Sequence, residues 1–155
     1  MFYFLFVRGD TINTDNLINF RKSIGLTQTE MAKIIGVQKS TYTCYENMIR
    51  IISITKLNII SNKYGKSLDF LSGNSLDDNI KFTKKDFTLE EVGNILKNER
   101  QLQGMTQKDL SEKFNVAQSR ISDYEKGKGL TIPVLIQYSK LFNKSIDYLC
   151  GKTLK

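Results

Sequence analysis

The sequence predicts an all-α chain of 155 residues, built from two tandem copies of one five-helix unit joined by a short polar linker. Three observations lead there. The chain repeats itself, residues that start and stop helices recur at matching places in each copy, and 40% hydrophobic residues with nine Phe and seven Tyr supply two packed cores. A single Pro and the lack of any low-complexity run point the same way.

The repeat is read by laying Arg21-Lys22-Ser23-Ile24-Gly25-Leu26-Thr27-Gln28 over Arg100-Gln101-Leu102-Gln103-Gly104-Met105-Thr106-Gln107, 79 residues further on. The same step aligns Met31 with Leu110, Val37 with Val116, Ser40 with Ser119 and Tyr45-Glu46 with Tyr124-Glu125. After one deleted residue the step becomes 78, pairing Leu57 with Leu135, Lys66–Leu71 with Lys144–Leu149 and Gly73 with Gly151. Each copy is about 60 residues, a size at which a helical unit can just fold alone. The expected divisions are an apolar arm at 1–10, a first domain at 11–73, a linker at 74–86 and a second domain at 87–155.

The helices show most clearly in the second copy. Thr88-Leu89-Glu90-Glu91 reads as a capping box opening helix one, with Val92, Ile95, Leu96 and Glu99 at helical spacing and Gly104 as the stop. Thr106 caps helix two, whose apolar positions Leu110 and Phe114 lie four apart. Asn115-Val116 makes a tight turn, since Asn tolerates the left-handed conformation. Helix three runs over Gln118–Tyr124 with Ile121 and Tyr124 inward, and Gly127 and Gly129 end it. Helix four covers Pro133–Phe142, with Pro in the first turn, where its missing N–H costs nothing. Ser145 caps helix five and Gly151 terminates it. In the first copy Thr27 caps helix two, Met31, Ile34 and Ile35 form its stripe, Gly36-Val37 makes the turn, Tyr42 and Tyr45 face inward, and Ser67 and Gly73 bracket helix five. The apolar run at residues 1–7 is too short for a signal peptide or a membrane span; it leaves room for one short N-terminal strand, a dimer contact or a packed arm.

Charge and chemistry narrow the function. The formal net charge is +7, with +4 on residues 1–73, zero on the linker and +3 on residues 87–155, so both domains favour a polyanion. Histidine is absent, and Cys44 and Cys150 have no neighbours at ligand spacing, which excludes Cys/His zinc sites and His-based triads. No Gly-rich phosphate loop or carboxylate cluster offers a catalytic constellation, so neither an enzyme, a metal nor a cofactor is expected. Two distant cysteines fit a reducing cytoplasm.

The segment Thr27-Gln28-x-x-Met31-Ala32-x-x-Ile35-Gly36-Val37-x-x-Ser40-x-Tyr42-x-x-Tyr45-Glu46 resembles the Cro and phage-repressor (xenobiotic-response-element) helix-turn-helix family. So does Thr106-Gln107-x-x-Leu110-x-x-x-Phe114-Asn115-Val116-x-x-Ser119-x-Ile121-x-x-Tyr124-Glu125-x-Gly127. Ser67-x-Asp69-Phe70-Leu71-x-Gly73 and Ser145-x-Asp147-Tyr148-Leu149-x-Gly151 are similar to that family's closing helix. The resemblance implies two lambda-repressor-like domains that bind double-stranded DNA, each with its third helix in the major groove.

Carried over by position, the base-facing residues are Gln38, Lys39, Ser40, Thr43 and Cys44 in the first copy and Ala117, Gln118, Ser119, Ser122 and Asp123 in the second. Gln can bridge adenine N6 and N7, and Lys donates to guanine O6 and N7. Gln28 and Gln107, at the start of each second helix, are expected on phosphates, with Arg120, Lys126 and Lys128 as further phosphate contacts. The resemblance also implies that Arg21 pairs with Glu46 and Arg100 with Glu125, both 25 residues apart, joining helix one to the end of helix three.

Four departures bear on this. Asp123 brings a negative charge to the DNA side, Ala117 offers only apolar contact, Asn47-Met48-Ile49 replaces the Gly-bearing turn after helix three in the first copy, and Cys44 is a poor base reader. The expected function is a sequence-specific transcriptional regulator, a repressor, acting as one chain or a homodimer and without a membrane partner. Its two heads need not read a palindrome, because the linker is expected to decide their orientation. The alternative is a protein-interaction module, antitoxin- or antirepressor-like, with one or both reading heads degenerate.

Overall fold

The computed structural model describes residues 13–153, and all regular structure among them is helical. The expected N-terminal arm and strand at residues 1–10 lie outside the described residues. The first head comprises α1 (Asp15–Ser23), α2 (Gln28–Ile34), α3 (Lys39–Glu46), α4 (Ile54–Tyr64) and α5 (Leu68–Leu71). The second comprises α6 (Leu89–Leu102), α7 (Gln107–Phe114), α8 (Gln118–Glu125), α9 (Ile132–Phe142) and α10 (Ile146–Leu149).

Helix starts follow from side-chain caps. Thr27, Thr88 and Thr106 form reciprocal capping boxes with Glu30, Glu91 and Asp109, while Ser53, Ser67 and Ser145 accept from the third backbone N–H of their helices. The Thr27 backbone N–H holds the Glu30 carboxyl below its usual range, and the Thr106 hydroxyl does so for Asp109. Helix α7 ends on Asn115 and α9 on Asn143, both left-handed.

Each head closes over its own core. Leu17, Met31, Ile35, Tyr42, Leu57 and Leu68 are buried in the first, and Val92, Leu96, Leu110, Ile121, Tyr138 and Ile146 in the second. The cores differ by a compensated exchange. Tyr42 on α3 aligns with Ile121 on α8, and Ile60 on α4 aligns with Tyr138 on α9, so each head holds one fully enclosed tyrosine, on a different helix. Burial pushes both phenols up, with the nearby Glu46 and Glu125 carboxylates adding to it.

The turn after the third helix separates the two heads. In the second, Gly127 (φ 78) and Gly129 (φ 68) take left-handed conformations freely. In the first, Met48 sits at φ 56 in the place of Gly127. A Cβ there is strained, so Met48→Gly is expected to raise the first head's stability by about 1 kcal/mol in urea unfolding.

The heads are docked on each other directly, beside the linker that joins them. Helix α5 packs on α10, where the Asp69 N–H donates to Asp147 Oδ2 at 3.2 Å and the Asp147 N–H donates to Asp69 Oδ2 at 3.1 Å. Burial, with the Asp69 carboxylate alongside, pushes the Asp147 carboxyl up to about 7. Lys152 is fully buried in the same joint, under the Phe82 ring at 4.8 Å, and burial lowers its ammonium to about 8. The linker is itself fastened: Asn58 and Asn62 donate to Lys85 O at 3.0 and 3.1 Å, and the Thr83 N–H donates to Lys152 O at 2.6 Å.

Candidate nucleic-acid interface

In each head the second and third helices pack as a pair across a tight turn, which leaves one ridge of the third helix facing outward. The ridge of α3 starts at Gln38, the N-cap, whose side chain makes no cap hydrogen bond. Gln38, Lys39 and Ser40 are exposed, and Thr43 and Cys44 follow half-buried one turn on. The ridge of α8 starts at Ala117; Ala117, Gln118 and Ser119 are exposed, and Ser122 and Asp123 are half-buried. The opposite faces carry Tyr42 and Glu46, or Ile121, Tyr124 and Glu125, into the core.

The inward glutamates anchor these ridges. Arg21 Nε and Nη2 donate to Glu46 Oε1 and Oε2 at 2.5 and 3.1 Å, and Nη1 donates to Leu26 O at 2.6 Å. Arg100 repeats the pattern on Glu125 at 2.5 and 3.1 Å and on Met105 O at 2.6 Å. These fork contacts tie the first helix both to the end of the third and to the turn before the second. Burial alone would raise the Glu46 carboxyl, but hydrogen bonds from Arg21 and Gln28 hold it below its usual range.

Gln28 and Gln107 join the same brace, a connection that the sequence reading missed. Each donates from Nε2 to the glutamate at 2.8 Å, and the Thr43 hydroxyl donates to Gln28 Oε1 at 3.0 Å. The amide carries two hydrogens, so one donor on each glutamine is left for the outside. The only sequence signal for the brace is a Gln 18 residues before the Glu in both copies.

The surroundings of the two ridges differ. Gln107, Ser122 and Lys126 come together, with Asn94 and Lys97, around one cleft between α6, α7 and α8. Beyond α8 the Lys126 and Lys128 N–H groups donate to Asp123 O at 3.1 and 2.8 Å, and both lysines and Arg120 are exposed. Beyond α3 the Ile49 and Arg50 N–H groups donate to Cys44 O at 2.9 and 3.2 Å. That turn presents Met48 and Ile49, 50% and 70% exposed, and a single cation, Arg50, which sequence reasoning passed over.

The architecture is therefore a pair of helix-turn-helix units in one chain. The helix-turn-helix family pattern matches residues 17–71 and again residues 96–149, and the chain belongs to that family. Over 62 residues it is 40% identical to the HTH-type transcriptional regulator ImmR of Bacillus subtilis (strain 168), covering 39% of this chain and 49% of that protein. Over 40 residues it is 48% identical to the endothelial differentiation-related factor 1 homolog of Gallus gallus, covering 26% and 27% respectively. Each match thus spans less than half of the relative's length. No solved structure matches the chain at a significant level. Among the described residues no helix is long and apolar enough to cross a membrane, and no group of three His, Cys, Asp or Glu is placed to hold a metal ion.

Proposed function

We propose that the chain is a cytoplasmic, sequence-specific regulator of transcription, a repressor, that reads double-stranded DNA through the ridges of α3 and α8. One observation carries the reading: two exposed polar ridges of a helix-turn-helix chain, each held from behind by a buried Arg–Glu fork. The likeness to a transcriptional regulator supports it. Gln38, Lys39, Ser40 and Thr43, with Cys44 at the edge, face bases in the first head; Ala117, Gln118, Ser119, Ser122 and Asp123 do so in the second. The free amide hydrogens of Gln28 and Gln107, with Arg120, Lys126 and Lys128, hold phosphates, and Arg50 adds one in the first head.

A second reading, docking to a protein, is favoured only by the apolar turn at Met48 and Ile49. Salt separates the two. With six or more phosphates engaged, affinity for duplex DNA falls by about 10³-fold or more between 50 and 200 mM salt. Fluorescence anisotropy checks this, and a salt-independent partner in place of DNA would reverse the choice. Gln118→Ala is expected to relax the motif selected from randomised duplexes, whereas Gln107→Ala weakens all sites alike. An unchanged motif in the first variant would remove α8 from the groove.

A further inference from the structure

The joint between the heads has a symmetry that the tandem order of the chain hides. Asp69 and Asp147 are 78 residues apart, which is the repeat step, so they are the same position in the two copies. Each donates its N–H to the other's Oδ2, at 3.2 and 3.1 Å. A second pair of contacts is exchanged in the same way. Asn74 Nδ2 donates to Ser139 Oγ at 3.1 Å, and Lys152 Nζ donates to Ser61 Oγ at 2.7 Å. Asn74 aligns with Lys152 and Ser61 aligns with Ser139, again at the repeat step.

Contacts in which position i meets j and j meets i define an isologous, two-fold interface. Heads stacked by translation would bring unlike positions together. Two independent exchanged pairs, on α5 with α10 and on the flanks of α4 and α9, relate the heads by a rotation of about half a turn.

The joint also has a preference built into it. Asn74 turns its amide onto Asp69 Oδ1 at 2.7 Å, whereas Lys152 turns to Asn58, Ser61 and Asn62 and leaves Asp147 Oδ1 buried with no hydrogen bond. Two second heads paired together would set Lys152 against Ile136 and Lys140, which align with Asn58 and Asn62. A buried ammonium facing an isoleucine and another lysine is poorly solvated, so a second head pairs with a first head in preference to another second head.

We propose that one chain is an internal pseudo-dimer that reads a single bipartite operator of two inverted, unlike half-sites at one fixed spacing, with no second chain. The proposal rests on the DNA-binding reading. A rotation of half a turn carries α3 onto α8, so the two ridges meet the duplex in opposite senses. Gln38-Lys39-Ser40 and Ala117-Gln118-Ser119 differ, so the half-sites differ too.

The test uses the full chain. Selection from randomised duplexes is expected to return one motif with two dissimilar halves in opposite orientation, and sedimentation to give one chain per operator. Turning one half-site around, or inserting five base pairs between the halves, disengages one head and weakens binding by about 10²–10⁴-fold. Equal affinity for the direct repeat, indifference to the insertion, or two chains per operator would each overturn the proposal. A second arm needs no DNA. The Asn74→Cys, Ser139→Cys double variant, oxidised at low concentration, is expected to form a disulfide within one chain and to leave only the two native thiols of Cys44 and Cys150 to titrate after denaturation; interchain disulfides alone, or four titrating thiols, would overturn the internal dyad. If no duplex binds while that intrachain disulfide forms, the DNA reading falls, and the operator claim with it, but the dyad stands.

Discussion

Replacing Glu125 by alanine is expected to lower the stability of the second head by about 3–5 kcal/mol, the cost of stranding a buried charge. Arg100 and Glu125 side chains are 8% and 4% exposed, so neither end of the pair can turn to water without moving a helix. Removing the carboxylate orphans the Arg100 Nε and Nη2 donors and the Gln107 amide together. Arg100 would keep only Met105 O. A head of about 60 residues is only marginally stable, so a loss of that size leaves it largely unfolded at 37 °C.

The attribution can be separated from mere loss of packing. What costs most is the charge left behind, so the Arg100→Met, Glu125→Met double variant should regain most of the lost stability. Urea unfolding followed by tyrosine fluorescence measures both. A loss below about 1 kcal/mol for Glu125→Ala would show the pair to behave as an exposed one. A double variant no better than the single would place the cost in packing instead.

Much of the fold was legible because its signals are local. Threonine three residues before an acid, serine before Leu68 or Ile146, and Asn115 beyond Phe114 each act on the backbone within one turn, and the repeat offered the Thr and Ser caps in both copies. Helix α4 was harder to read: Ser53 sits inside the apolar run Ile51-Ile52-Ser53-Ile54, where a cap looks like an interruption in a stripe. The ridge residues could be named only by position in the resemblance, because exposed polar side chains carry no periodic signature. The brace and the joint were out of reach for another reason. Gln28 sees Glu46 only once α2 lies on α3, and Asp69 sees Asp147 only once two separately folded heads meet. An aspartate that accepts a backbone N–H from 78 residues away looks, in the sequence, like one more first-turn acid.

Gly127→Ala is expected to cost the second head about 2–4 kcal/mol, combining a strained left-handed residue with an overfilled contact. Gly127 holds φ 78 and its N–H donates to Tyr124 O at 2.9 Å, which turns the chain away from α8. A Cβ there would stand 2.5 Å from both the carbonyl carbon and the oxygen of Leu89, backbone atoms of α6 that cannot swing aside. The approach is mutual, since a Cβ on Gly93 would stand 2.6 Å from Glu125 O and from Gly127 N. In the first head Thr14 occupies the place of Gly93, and its hydroxyl donates to Glu46 O at 3.1 Å, so a side chain bridges where bare backbones touch in the second. The same close contact fixes Lys126 and Lys128 beside the ridge of α8, so Gly127→Ala should also weaken duplex binding by roughly ten-fold through misplaced phosphate contacts. Urea unfolding and anisotropy of the purified variant report the two effects; a stability loss under about 1 kcal/mol would mean that α6 and the turn are free to separate.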